Sequence, residues 1–110
     1  MRHYKYRALV KLDLAATHGH HALAPGRTCR VMVRAHHHRT HSGKFFSALA
    51  AMPATSASAS SSQSVQLTLT VLGDDVPDYL DAGDALDLWQ GADIGHGVIT
   101  RRLPLWVEAP

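Results

Sequence analysis

Histidine is the most conspicuous chemistry in this 110-residue chain. Seven of the nine histidines fall in two short runs: His18, His20 and His21, then His36, His37, His38 and His41. A neutral imidazole is a good ligand for zinc, copper or nickel. In an extended segment, residues two apart share a face. His18 with His20, and His36 with His38, have that spacing, so His18, His20, His36, His38 and His41 are the candidate metal ligands. The plainer reading is a set of solvated histidines in biased loops. A functional metal site carries polar partners that orient its ligands, and only Asp13 stands near the first run. An intervening strand over Thr28–Arg34 would hold the two runs about 20 Å apart. The expectation is therefore no metal and no cofactor.

A second set is basic: Arg27, Arg30, Arg34, Arg39 and Lys44. Arg30 and Arg34 fall on one face of an extended segment. These five are the candidate partner-binding residues, because a basic stripe suits the phosphates of structured RNA. No aromatic residue interleaves them in sequence to stack bases. Seven aspartates follow, at 74, 75, 78, 81, 84, 87 and 93. They sit in turn-like sequence, where a carboxylate stays solvated and lacks the raised pKa that acid–base catalysis needs. Their spacing is not that of an EF-hand. Cys29, the single cysteine, reads as a buried inert thiol. There is no nucleophile elbow, and Gly43-Lys44 lacks the upstream glycine of a phosphate-binding loop. No catalytic residue is assigned, no enzyme is expected, and GTP hydrolysis is excluded.

Composition sets the class. One domain over residues 1–110 is the expectation for this length. Eleven Lys and Arg against nine Asp and Glu leave a formal charge of +2, too small to point to nucleic acid by itself. A lone cysteine forms no internal disulfide, no apolar run is long enough for a membrane span, and the N-terminal segment lacks a signal-type apolar core. A cytoplasmic protein without a membrane partner is the expectation.

Apolar residues alternate at period two, the mark of half-buried strands. Tyr4, Tyr6, Ala8, Val10, Leu12 and Leu14 share one face, with Lys5, Arg7, Lys11 and Asp13 on the other and Leu9 the exception. A second strand is predicted at Thr28–Arg34, with Val31 and Val33 inward, and a third at Gly43–Leu49. Ala50–Ser64 is Ala/Ser-rich and reads as a mobile loop, having too little apolar bulk to offset its ordering entropy. Val65–Leu72 alternates cleanly. Pro77 opens an irregular turn. Leu86 and Leu88 then mark a short strand, Gly91–Gly95 a reversal, and the segment from Gly97 a last strand that Pro104 ends. Val10, Leu12, Val65, Leu67, Leu69, Val71, Leu86 and Leu88 are the predicted core. Short strands with turns between them mean an all-β barrel or sandwich.

The stretch from Pro77 to Leu103 resembles the end of the C-terminal β-barrel domain of elongation factor Tu and related translation GTPases. Pro77, Leu80, Gly83, Leu86, Leu88 and the run Gly95-His96-Gly97-Val98-Ile99-Thr100 stand in that family's order. The first strand matches as well. Gly19-His20-His21 and Gly26-Arg27-Thr28-Cys29 keep one glycine each of two family motifs and lose their aromatic and proline. The resemblance implies a six-stranded closed antiparallel β-barrel without its GTPase domain. It implies a non-catalytic binding module related to translation, with protein or tRNA-like structured RNA as partner. The alternative, from the histidines, is a metal-binding or metal-responsive protein.

Overall fold

A computed structural model describes residues 2–12, 26–36, 44–53 and 64–104. Six strands, β1 (His3–Leu12), β2 (Thr28–His36), β3 (Lys44–Ala51), β4 (Ser64–Leu72), β5 (Ala85–Trp89) and β6 (Asp93–Leu103), are joined between β4 and β5 by the one-turn helix α1 (Val76–Tyr79). Every pairing is antiparallel, and the order β1-β4-β3-β2-β5-β6 closes on itself. Closure removes the open edges that would otherwise invite pairing with other chains. The expected six-stranded closed antiparallel β-barrel is the fold. Among the described residues no helix is long and apolar enough to cross a membrane.

Period-two alternation builds the interior. Tyr6, Ala8, Val10, Leu12, Val31, Val33, Val65, Leu67, Leu69, Val71, Leu86 and Leu88 all point inward and are buried, including every residue of the predicted core. One end of the barrel is capped by the chain from Gly73 to Asp84. There Val76 and Leu80 are buried, and the Tyr6 hydroxyl donates to the Leu80 carbonyl at 3.1 Å.

Strand β6 carries two irregularities. Arg7 pairs with Arg101 and Ala8 with Ile99, so Thr100 is the extra residue. Leu88 pairs with Gly95 and Trp89 with Asp93, so Ile94 is the other. Bulges bend and twist a strand, which lets β6 turn the corner between β5 and β1. Its glycines serve the same closure. A Cβ on Gly97 would lie 2.1 Å from the Leu9 carbonyl oxygen, and one on Gly95 2.9 Å from that of Lys11. Bare backbone at both positions lets β1 close on β6.

The elements run longer than their sequence signals. β2 continues past Arg34 through His36, because β5 extends the ladder to His36 opposite Ala85. β3 takes in Ala50 and Ala51, which pair with Cys29 and Thr28 of β2, and Met52 is buried. The expected loop therefore begins later than Ala50; its remainder, residues 54–63, lies outside the described residues. β6 begins at Asp93, not Gly97, leaving a reversal of three residues after Trp89. The irregular turn at Pro77 contains α1, with proline in its first turn, where its missing N–H costs nothing.

Candidate functional site

The outward residues divide into two faces of different chemistry, centred on β1 and on β2. These strands stand three places apart in either direction around the ring, on opposite sides of the barrel.

The first face is cationic. Strand β1 presents His3, Lys5, Arg7, Leu9 and Lys11. Across the ladder to β6, Arg7 meets Arg101 and Lys11 meets His96. Arg102 is exposed nearby, its guanidinium 5.0 Å from the Tyr4 ring centroid. On the other side, β4 contributes Ser64, Gln66, Thr68 and Thr70. No carboxylate stands among the described outward residues of β1 and β4, or on β6 beyond Asp93. Leu9 and Val98 pair at the centre as a small exposed apolar ridge. Like charges directly opposite on a ladder repel, so the Arg7–Arg101 pair is a local cost that an anion would relieve. The Thr100 hydroxyl donates to the Arg7 carbonyl at 3.0 Å and fixes the bulge beneath the pair.

The second face is aromatic and mixed in charge. Strand β2 presents Arg30, Met32 and Arg34; β3 presents Phe45, Ser47 and Leu49; β5 presents Asp87 and Trp89. The registers align Phe45, Arg34 and Asp87 in one row and Ser47, Met32, Trp89 and Asp93 in the next, with Leu49 opposite Arg30. Phe45 is 47%, Leu49 42% and Trp89 41% exposed. The Phe45 and Trp89 rings meet edge to face with centroids 6.5 Å apart, and the Arg34 guanidinium lies 6.0 Å from the Phe45 centroid. The aromatics that linear sequence kept apart from the arginines are thus brought beside them by strand pairing.

The sequence candidates are distributed as follows. Arg30 and Arg34 share the second face, as their spacing implied. Arg27 is exposed just before β2, its carbonyl accepting from the Met52 amide at 3.3 Å. Lys44 has the inward parity of Phe46 and Ala48, so it turns away from Phe45 toward the α1 end. There it is salt-bridged to Asp75, with its ammonium 5.0 Å from the Tyr79 ring centroid and 5.4 Å from that of Phe46. The hydrogen bond between them raises the Lys44 pKa and lowers that of Asp75, favouring the charged form of each. His36 ends β2, hydrogen-bonded at 2.5 Å to the Asp87 carboxylate. His18, His20, His38, His41 and Arg39 lie outside the described residues. Among the described residues no group of three or more His, Cys, Asp or Glu is placed to hold a metal.

The remaining reactive groups have structural partners. Burial raises the pKa of the Cys29 thiol, which keeps it protonated and a poor nucleophile. The Asp84 carboxylate accepts from the Asp81 amide at 2.8 Å, the Asp81 carboxylate from the Ala82 amide at 2.8 Å, and the Asp74 carboxylate from the Arg2 amide at 3.0 Å. These aspartates shape turns. Sequence reasoning passed over the cationic face because its halves lie at opposite ends of the chain. The alternation of Lys5, Arg7 and Lys11 was legible; their pairing with Arg101 and His96 was not. Comparison with protein-family models, with curated proteins and with solved structures yields no significant match.

Proposed function

We propose that this barrel is a non-catalytic binding module whose β6–β1–β4 face docks on the backbone of structured RNA. The observation that carries the reading is the outward cluster of Arg7, Lys11 and Arg101 with Lys5 beside them, where no carboxylate stands among the described outward residues of β1 and β4 or on β6 beyond Asp93. A-form RNA is contacted chiefly through phosphates and 2′-hydroxyls across a shallow groove. Arginine and lysine serve the phosphates, and the flanking Gln66, Thr68, Thr70 and Thr100 supply groups that both donate and accept to ribose hydroxyls. The reading accords with the resemblance of residues 77–103 to the translation-factor barrel, and a role in translation is proposed on that basis.

Titration of a fluorescent RNA hairpin between 50 and 200 mM salt tests it. With Lys5, Arg7, Lys11 and Arg101 engaged, log K should fall with log salt at a slope of about −3. The double variant Arg7→Glu/Arg101→Glu should bind at least about tenfold more weakly, and Lys11→Gln should reduce the slope by about one. Absence of binding at 50 mM salt, or an unchanged affinity in the double variant, overturns the reading.

A further inference from the structure

The face centred on β2 has a different composition, and its charges argue against a polyanion. Asp87 stands beside Arg34 in one row, and Asp93 stands beside Trp89 in the next. A phosphate chain laid on Arg30 and Arg34 would meet both carboxylates. A membrane surface is disfavoured by the same four charges. Scattered exposed apolar residues are ordinary, but here Phe45, Leu49, Met32 and Trp89 are gathered on three adjacent strands. Aromatics, methionine and arginine are the residue types enriched at the core of protein interfaces, where lysine is depleted.

The arrangement is also self-complementary. The cations lie on β2 and the carboxylates on β5 and the start of β6, with apolar side chains between and beside them. An isologous contact requires a patch that matches itself after a two-fold rotation. A two-fold axis lying in the contact plane, parallel to the strands and between β2 and β5, preserves each row and exchanges the two strands. It sets Arg34 of one copy against Asp87 of the other, and Met32 against Trp89, each contact occurring twice, and it lays β3 of each copy over β6 of the other, with Phe45 against His96 and Ser47 against Asp93. Asp87 already accepts from His36, and a carboxylate retains acceptor positions for a second donor.

We infer that the β3–β2–β5 face is the docking surface for a second copy of this chain, forming a two-fold dimer with Met32 and Trp89 at its centre. The inference does not depend on the RNA reading. Three strands about 4.8 Å apart and about six residues of each cover a patch roughly 15 by 20 Å. That is small for a specific interface and falls in the size class of weak, transient contacts, so the dimer should form weakly and reversibly.

Sedimentation equilibrium of the full chain, without RNA, is the test. The average mass should climb from 11.9 kDa toward twice that value as concentration rises from about 10 µM to about 1 mM. Trp89→Ser should weaken association at least tenfold while leaving the circular dichroism spectrum and melting temperature of the exposed-site variant close to wild type. Arg34→Asp and Asp87→Arg should each associate poorly alone, and their equimolar mixture should recover association through the complementary pair. A wild-type chain that stays at monomer mass throughout overturns the inference. So does a Trp89→Ser chain that associates like wild type, or a folded pair of charge variants that fails to recover on mixing. A monomeric chain whose Trp89 fluorescence responds to single-stranded oligonucleotide would reassign the face to nucleobases and likewise overturn it.

Discussion

Tyr6 shows how one side chain ties the barrel wall to its cap. It belongs by parity to β1, yet its hydroxyl reaches the Leu80 carbonyl in the segment that closes the barrel end. Burial is the main reason its pKa is pushed up to about 12 from 10.0, with Arg102 partly offsetting it and Asp81, Tyr4 and Asp84 adding to it. A group whose folded pKa lies above its unfolded value contributes stability that is complete below the unfolded pKa. That contribution is lost as pH rises through the folded value. For Tyr6 the window runs from pH 10.0 to about 12. Tyr6→Phe should cost about 1–3 kcal/mol at pH 8, because the Leu80 carbonyl loses its donor. It should also flatten the decline of stability across that alkaline window. Urea unfolding of both proteins at pH 8 and from pH 10 upward checks it; parallel declines would show that another group titrates. The inward position of Tyr6 was plain in the alternation of β1, but its acceptor was not, since Leu80 is 74 positions away.

At the scale of elements, the spacing Gly95-His96-Gly97 has a steric cause independent of any resemblance. A β-carbon on Gly97 would also lie 2.8 Å from the Val10 Cα, so the obstacle is backbone, which cannot rotate aside as a side chain can. Gly97→Ala should therefore cost at least about 2 kcal/mol, in the range of overpacked sites or above it. Amide exchange should rise first along β1 and β6, and an unchanged exchange pattern there would refute the close-approach account. Strands were readable wherever one face was buried and apolar, as in Val65–Val71. They were unreadable where the inward residues are small. Ala48 and Ala50 are as fully buried as the valines of the other strands, yet in sequence they merge with the Ala/Ser run that follows. Four residues of α1 are likewise too few to establish a helical period. His36 was assigned to a loop because nothing local signals that β5 will pair with it.

For the whole molecule, the ring order decides what the two proposals mean together. The cationic face and the aromatic face sit on opposite sides of the barrel because β1 and β2 are separated by two strands on either path. A dimer built on β2 would point its two cationic faces away from each other. Such a dimer cannot clamp one short hairpin between its subunits; it holds two separate RNA segments. Adding protein to a mixture of donor-labelled and acceptor-labelled hairpins should then produce energy transfer once protein exceeds the dimer dissociation constant. On a longer RNA carrying two sites, the linked second contact should raise apparent affinity by about 10²-fold or more. Trp89→Ser should abolish the transfer while binding each hairpin with unchanged intrinsic affinity, and Arg7→Glu/Arg101→Glu should abolish transfer by losing RNA while the chain still dimerises. This pair of variants separates the two surfaces. Energy transfer that survives Trp89→Ser would mean that RNA is bridged through some other face, and the placement of the dimer on β2 would have to be abandoned.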